Sequence, residues 1–365
     1  MAETLPIPPA LYDFVLYYEC AAKDWNRGSN KTAIKGDGSL RDMINWNSTY
    51  SYDPDDAGGK TLFGVTETAW QSYVKAYPNK GYSKDLNTMG MNGWHDEISW
   101  FWDTYSHAGK SANYACAFIL FQMSWGGFNT NALDRMLETL RTNADKTDYP
   151  FVSSGGRYTK IADATHAFTD PMLAYDYMRK SLAQYYYNIS TPDKTNSKYR
   201  NGWLTRSALS FTPYGLYIPT TVSYKTAGLK YESTLDQWEE AAKRLVENNT
   251  SGYVKIIDWG TTPESIERMS SNAFEYSYTP SSYSSSSYGG YSSSGSYGGC
   301  GGVYNLGNYS NAPDMQIIHQ QSQSREEVLN TLMAGSYTPD EVEKCAELIT
   351  SEKKKNVPIQ TQGDK

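Results

Sequence analysis

The sequence predicts a mainly α-helical protein. Apolar residues recur at helical spacing over 11–19 and again over 235–246, and residues 112–125 are apolar on every side. Strand-like patterns are confined to 253–259 and to 214–224, where the alternation is weak.

Taken in order, Leu11, Phe14, Val15 and Tyr18 mark the first helix, entered through Pro8 and Pro9. Proline is tolerated there because the first N–H groups of a helix lack partners anyway. Glu19 falls one turn after Val15, at the edge of the buried stripe. Residues 53–66 hold three acids, Gly58-Gly59 and two threonines, a composition that predicts neither regular helix nor regular strand. Residues 67–77 read as a helix, 82–91 as a polar loop, and 94–105 as an aromatic, acidic helix. The all-round apolar run at 112–125 predicts a buried central helix ended by Gly126-Gly127. Further helices are expected at 131–140, 171–187, 235–246 and 263–269.

The chain has 365 residues, enough for one large domain with appendages or for two domains. Apolar content of 39% and aromatic content of 14%, with 32 tyrosines, support a sizeable core. A net charge of −7 argues against nucleic acid or an anionic membrane as a partner. Cys20, Cys116, Cys300 and Cys345 include no C-x-x-C pair, which argues against a zinc site and a dense disulfide framework. Cys116 reads as a core thiol. His95, His107, His166 and His319 have no spacing that suggests a metal site or a triad, and no cofactor is expected. The N-terminus lacks a basic start and an apolar core, so no Sec signal is expected, and no run is long enough to span a bilayer.

A helix ending in Glu19, then Asp53-Pro54-Asp55-Asp56-Ala57-Gly58-Gly59-Lys60-Thr61, then Gly64-Val65-Thr66, resembles the N-terminal half of glycoside hydrolase family 108, the phage and bacterial N-acetylmuramidases. Farther along, Gly202, Trp203, Leu204 and Arg206 resemble that family's closing Gly-Trp-Leu-x-Arg. The resemblance covers about residues 5–215. It implies a bilobed, lysozyme-like helical body over 1–215, its second half akin to a peptidoglycan-binding module. Two departures stand out. The family's Glu-Gly-Gly is Glu19-Cys20-Ala21 here, and residues 20–50 are an insertion that could form a lip on a cleft.

Glycoside cleavage needs a proton for the leaving oxygen and a carboxylate or an activated water on the opposite face of the sugar. The resemblance implies Glu19 as the acid, in a buried setting that favours its protonated form. It implies Asp56 as the base or electrostatic support and Thr61 as a water-positioning hydroxyl, with inversion the expected outcome. Asp53, Gly58, Gly59 and Thr66 are the expected substrate-binding positions. A turn is the plain alternative for 53–56, and the acids are not spaced as a calcium loop. Tyr52, Trp94, Trp102 and Trp125 are read as core first and sugar-stacking rings second.

Beyond the body, 216–275 reads as a small α+β addition or a packing arm. Residues 276–312 are Ser, Gly and Tyr with little else, expected to be a linker. Residues 313–365 carry two capping boxes, Ser324 to Glu327 and Thr338 to Glu341, and predict a helical hairpin that docks on other virion proteins, on a second copy or on the main body. Two function classes follow. The first is a peptidoglycan hydrolase cutting the β-1,4 bond beside N-acetylmuramic acid, mounted on a phage virion or held in the host cytoplasm until lysis. The second is a catalytically inactive lysozyme-fold protein that binds wall or packs in an assembly.

Overall fold

The computed structural model describes residues 4–20, 22–26, 31–53, 59–152 and 154–259, all within one structural unit. Asp56, Gly58, the expected helix at 263–269, the linker at 276–312 and the hairpin at 313–365 lie outside the described residues.

Helices dominate. Helix α1 (Pro9–Glu19) starts on Pro9 with an extended Pro8 before it, as the sequence predicts. Its burial is wider than the predicted stripe, because every residue from Ala10 to Leu16 is buried. The insertion is one cause, and the packing of Tyr12 on Trp94 and His95 is another. The buried Asp13 carboxylate accepts the Gly36 and Gly38 N–H groups at 3.0 and 3.1 Å and that of Leu40 at 3.0 Å. Burial pushes this carboxyl up to about 6, and the three donors pull it back. Gly36 has φ +76°, and a Cβ there would come within 2.5 Å of the Ile256 carbonyl, so the insertion lies against the strand Tyr253–Asp258 as well. Farther along, Trp46 packs on Phe63 and Trp94 at 4.8 and 5.5 Å between ring centres. The described part of the insertion is a folded brace over α1.

A small antiparallel sheet follows, with order β1 (Ser51–Tyr52), β2 (Lys60–Leu62), β3 (Val65–Thr66). This corrects the expectation that 53–66 holds no regular strand. The strands are only two or three residues long, so their pairing fits between turn-forming residues that the composition makes conspicuous. Helix α2 (Glu67–Ala76) is capped by Thr66, whose hydroxyl accepts the Ala69 N–H. Helix α3 (Gly90–Trp100) runs into a wide π-type turn at Phe101–Tyr105.

Helix α4 (Tyr114–Trp125) is buried at every residue, the central helix that its all-round apolarity predicts. Helices α6 (Arg157–Ala164) and α7 (Pro171–Ile189) pack on it, and α5 (Thr130–Asn143) packs on α6 and α7. The sequence reading missed α6, whose eight residues follow a Gly/Ser-rich approach. Helix α8 (Arg200–Leu204) continues into a second π-type turn, Thr205–Leu209.

A second sheet joins β4 (Phe211–Thr212), β5 (Gly215–Pro219) and β6 (Tyr253–Asp258), with α9 (Leu235–Glu247) between the last two in sequence. This sheet straddles the boundary expected at 215. Trp259 is buried, donates from Nε1 to Tyr175 Oη and the Thr212 carbonyl at 3.0 Å, and meets Phe118 of α4. Residues 216–259 therefore share the helical core.

Two consequences are measurable. Asp13→Ala leaves three backbone donors without their acceptor, and each such buried group costs about 1–3 kcal/mol. Urea unfolding should show a loss of at least about 2 kcal/mol; an unchanged midpoint would refute the brace. The second concerns Glu97, which is fully buried with neither carboxyl oxygen hydrogen-bonded among the described residues, and which burial pushes from 4.5 up to about 8. The folded state thus keeps a proton that the unfolded chain releases. Stability is full below about 4.5, falls as pH rises, and levels off above about 8. Glu97→Gln should gain on the parent over that interval, and parallel stability–pH curves would contradict this.

Candidate functional site

Glu19 is the last residue of α1, and its side chain is 3% exposed. Arg206, on the second π-type turn, donates from Nη1 to Glu19 Oε1 at 2.5 Å and is itself 2% exposed. Its guanidinium lies 5.0 Å from the Tyr18 ring centre, and the Tyr18 hydroxyl bonds Ser210 one turn on. One turn of the chain at 206–210 therefore grips two neighbouring residues of α1. A π-type turn widens the helix and re-aims its side chains, and such turns recur at functional sites.

The motif segment meets this pair at its other turn. β2 and β3 are joined by Phe63-Gly64, with Leu62 opposite Val65. Both turn residues are left-handed, φ +50° and +82°, the two-residue turn that matches strand twist. A phenylalanine rarely takes that conformation. Here its ring is buried against Trp46, and its carbonyl accepts the Trp94 Nε1–H at 3.0 Å. Gly64 is required for a second reason. A Cβ there would fall 2.6 Å from Glu19 Cγ, 2.7 Å from Glu19 Cβ and 3.1 Å from Trp125 Cζ2. The stem of Glu19 thus lies between the Gly64 backbone and the Arg206 guanidinium. Tyr186 lies beside the pair, its hydroxyl pushed up by burial and drawn back by Arg206.

The other expected site residues fall as follows. Thr61 is the middle residue of β2, across from Ser51 and Thr66, and its hydroxyl is buried without a hydrogen-bond partner among the described residues. Thr66 is buried, with its hydroxyl used as the α2 cap. Gly59 adjoins β2 with φ +66°. Asp53 is half exposed at the far end of the sheet, where it accepts the Tyr199 hydroxyl at 3.3 Å and lies 3.8 Å from Lys198 Nζ. Asp56 and Gly58 are outside the described residues. Trp94, Trp102 and Trp125 are core, whereas Tyr52 is 64% exposed.

The structure therefore brings Glu19 to Gly64, and brings both to the closing Arg206. The sequence places Arg206 in a motif and carries no sign of its partner. A pairing across 187 residues leaves no local pattern to read.

Gly64→Ala tests this arrangement. The left-handed backbone alone costs an alanine about 1–2 kcal/mol, and the clash falls on the rigid stem of Glu19. Thermal unfolding should show a larger loss than Gly59→Ala, because Gly59 has a similar φ and no described residue within 4 Å of its Cβ. Equal losses would mean that Glu19 does not press on the turn.

The Glycosyl hydrolase 108 family model matches residues 40–106. That is less than a fifth of the chain; it includes the hairpin with Asp53, Gly59, Thr61, Gly64 and Thr66, and excludes Glu19 and Arg206. No curated protein and no solved structure matched. At family level, residues 40–106 are similar to glycosyl hydrolases of family 108.

Proposed function

We propose that this protein is a peptidoglycan hydrolase that cleaves the β-1,4 bond beside N-acetylmuramic acid. The observation that carries the reading is the seating of Glu19 against Gly64, inside the segment that matches the glycosyl hydrolase model. Glu19 serves the leaving glycosidic oxygen. Asp56, with the Thr61 hydroxyl, holds the attacking water. The buried Thr61 hydroxyl, which has no partner among the described residues, supports that role, since buried hydroxyls normally find a partner.

Arg206 shapes what Glu19 can do. A guanidinium at 2.5 Å stabilises the charged carboxylate. Proton donation requires that substrate binding lengthen this contact, after which desolvation favours the protonated acid. We place the protein in a phage, where the Ser/Gly/Tyr-rich stretch and the capping boxes of 313–365 favour mounting on a virion over a free lysis enzyme.

One observation favours a second reading. A Glu–Arg pair whose side chains are 3% and 2% exposed also suits a purely structural role, in an inactive lysozyme-fold protein that binds wall or packs in an assembly.

Zymography on purified peptidoglycan separates the two. Positioned acid catalysis is typically worth about 10²–10⁴-fold. Glu19→Gln should lose about that much turnover and keep wall binding, with smaller losses for Asp56→Asn and Thr61→Ala. A parent that binds wall without cutting it supports the structural reading. A Glu19→Gln variant as fast as the parent removes Glu19 from the chemistry.

A further inference from the structure

The turn between β4 and β5 and the outward face of α9 flank an open groove of about 380 Å³. Pro213 and Tyr214 form one wall, and Asp236, Glu239, Glu240 and Lys243 form the other. The four helix positions fall at i, i+3, i+4 and i+7, a single stripe along α9. α9 also packs on the turn Thr205–Leu209, so the groove belongs to the same body as Arg206, and it shares no residue with the Glu19 site.

The Tyr214 wall is fixed by its backbone. Thr212 pairs with Gly215, which leaves Pro213 and Tyr214 as a two-residue turn. The Thr212 hydroxyl accepts the Tyr214 N–H at 3.2 Å and the Gly215 N–H at 3.1 Å, and the Tyr214 carbonyl accepts the N–H of buried Trp259 at 3.3 Å. The Tyr214 ring is nevertheless 43% exposed, and it meets no other ring and no cation among the described residues.

On the helix wall, the cations that usually neutralise acids one turn away are engaged elsewhere. Glu239 accepts Arg179 Nη2 at 2.8 Å, and that side chain, 8% exposed, is held by Asp176 as well. Asp236 and Glu240 have no hydrogen bond or ion pair among the described residues. Arg244, one turn after Glu240, donates to the Ala227 carbonyl at 2.8 Å. Lys243, one turn after Glu239, lies a long 3.9 Å from Glu247. Two uncompensated carboxylates and a bare aromatic ring on the walls of one groove suit a primary ammonium on an aliphatic stem. The charge meets the carboxylates, and both the stem and the charge meet the ring.

We propose that this groove binds the free side-chain ammonium of a peptidoglycan stem peptide, between Tyr214 and the carboxylates of Asp236 and Glu240. The assignment deepens the peptidoglycan reading and rests on it. Cross-linking turns that amine into a neutral amide, so the groove selects stems that are not cross-linked. Two diamino acids supply such an amine: lysine, and diaminopimelate, which carries a carboxylate beside it for Lys243.

Titration calorimetry on the full chain tests the groove, with soluble muropeptides in lysine and diaminopimelate forms, each with its amine free or N-acetylated. The free amine should bind about 3–10-fold tighter than its acetylated form, the range of one exposed cation–π contact or charge-assisted hydrogen bond. Asp236→Asn combined with Glu240→Gln should erase that difference. Tyr214→Ala should weaken the free-amine forms, and Tyr214→Phe should keep them. Lys243→Gln weakening the diaminopimelate form alone identifies that source; tighter binding of the lysine form, with Lys243→Gln silent, identifies the other. A parent that cuts peptidoglycan yet binds free and acetylated forms alike overturns the groove alone. A parent that binds no muropeptide and cuts no peptidoglycan overturns the groove's ligand and the hydrolase reading together.

Discussion

A buried ion pair between Glu19 and Arg206 joins the two ends of the helical body. Removing two charges from water is costly, and such pairs often add little net stability. Their weight lies in what they forbid. With one partner gone, the other is left charged and buried, at a cost of about 3–5 kcal/mol. The pair thereby fixes the end of α1 against the turn at 205–209, and the stem of Glu19 against Gly64.

The surrounding structure serves that placement. The insertion braces α1 from outside through Asp13. Trp46, Trp94 and the buried Phe63 hold the strained hairpin turn. Trp125 ends the central helix beside Gly64, stacked on Phe121 at 5.4 Å. A single aromatic core therefore carries both the turn and the carboxylate. It also explains why all three tryptophans that the sequence offers for sugar stacking are buried. Tyr52, one of the exposed rings, adjoins Asp53 in sequence instead.

Much of this was legible in the sequence where the signal was local. The all-round apolarity of 112–125 identified the central helix, and the Pro8-Pro9 entrance placed α1. Gly64 was conspicuous, although its reason, the approach of Glu19, is tertiary. The strands in 51–66 were missed because two-residue pairings have no period to detect. Helix α6 was missed because its eight residues begin in a Gly/Ser-rich stretch. The join of 216–259 to the core depends on Trp259 meeting α4 and α7, and Arg206 on Glu19 depends on a contact 187 residues away. Neither leaves a trace in composition or spacing.

The central claim is that Glu19 and Arg206 act as one unit. A double-mutant cycle with Glu19→Gln, Arg206→Met and the pair of them, read by urea unfolding at neutral pH, tests it most directly. Contacting buried partners show interaction energies of about 0.5–3 kcal/mol, whereas independent sites add to within about 0.3–0.5 kcal/mol. The account predicts a coupling at the upper end of that range, with the double variant more stable than the two single losses imply. Simple additivity would contradict it.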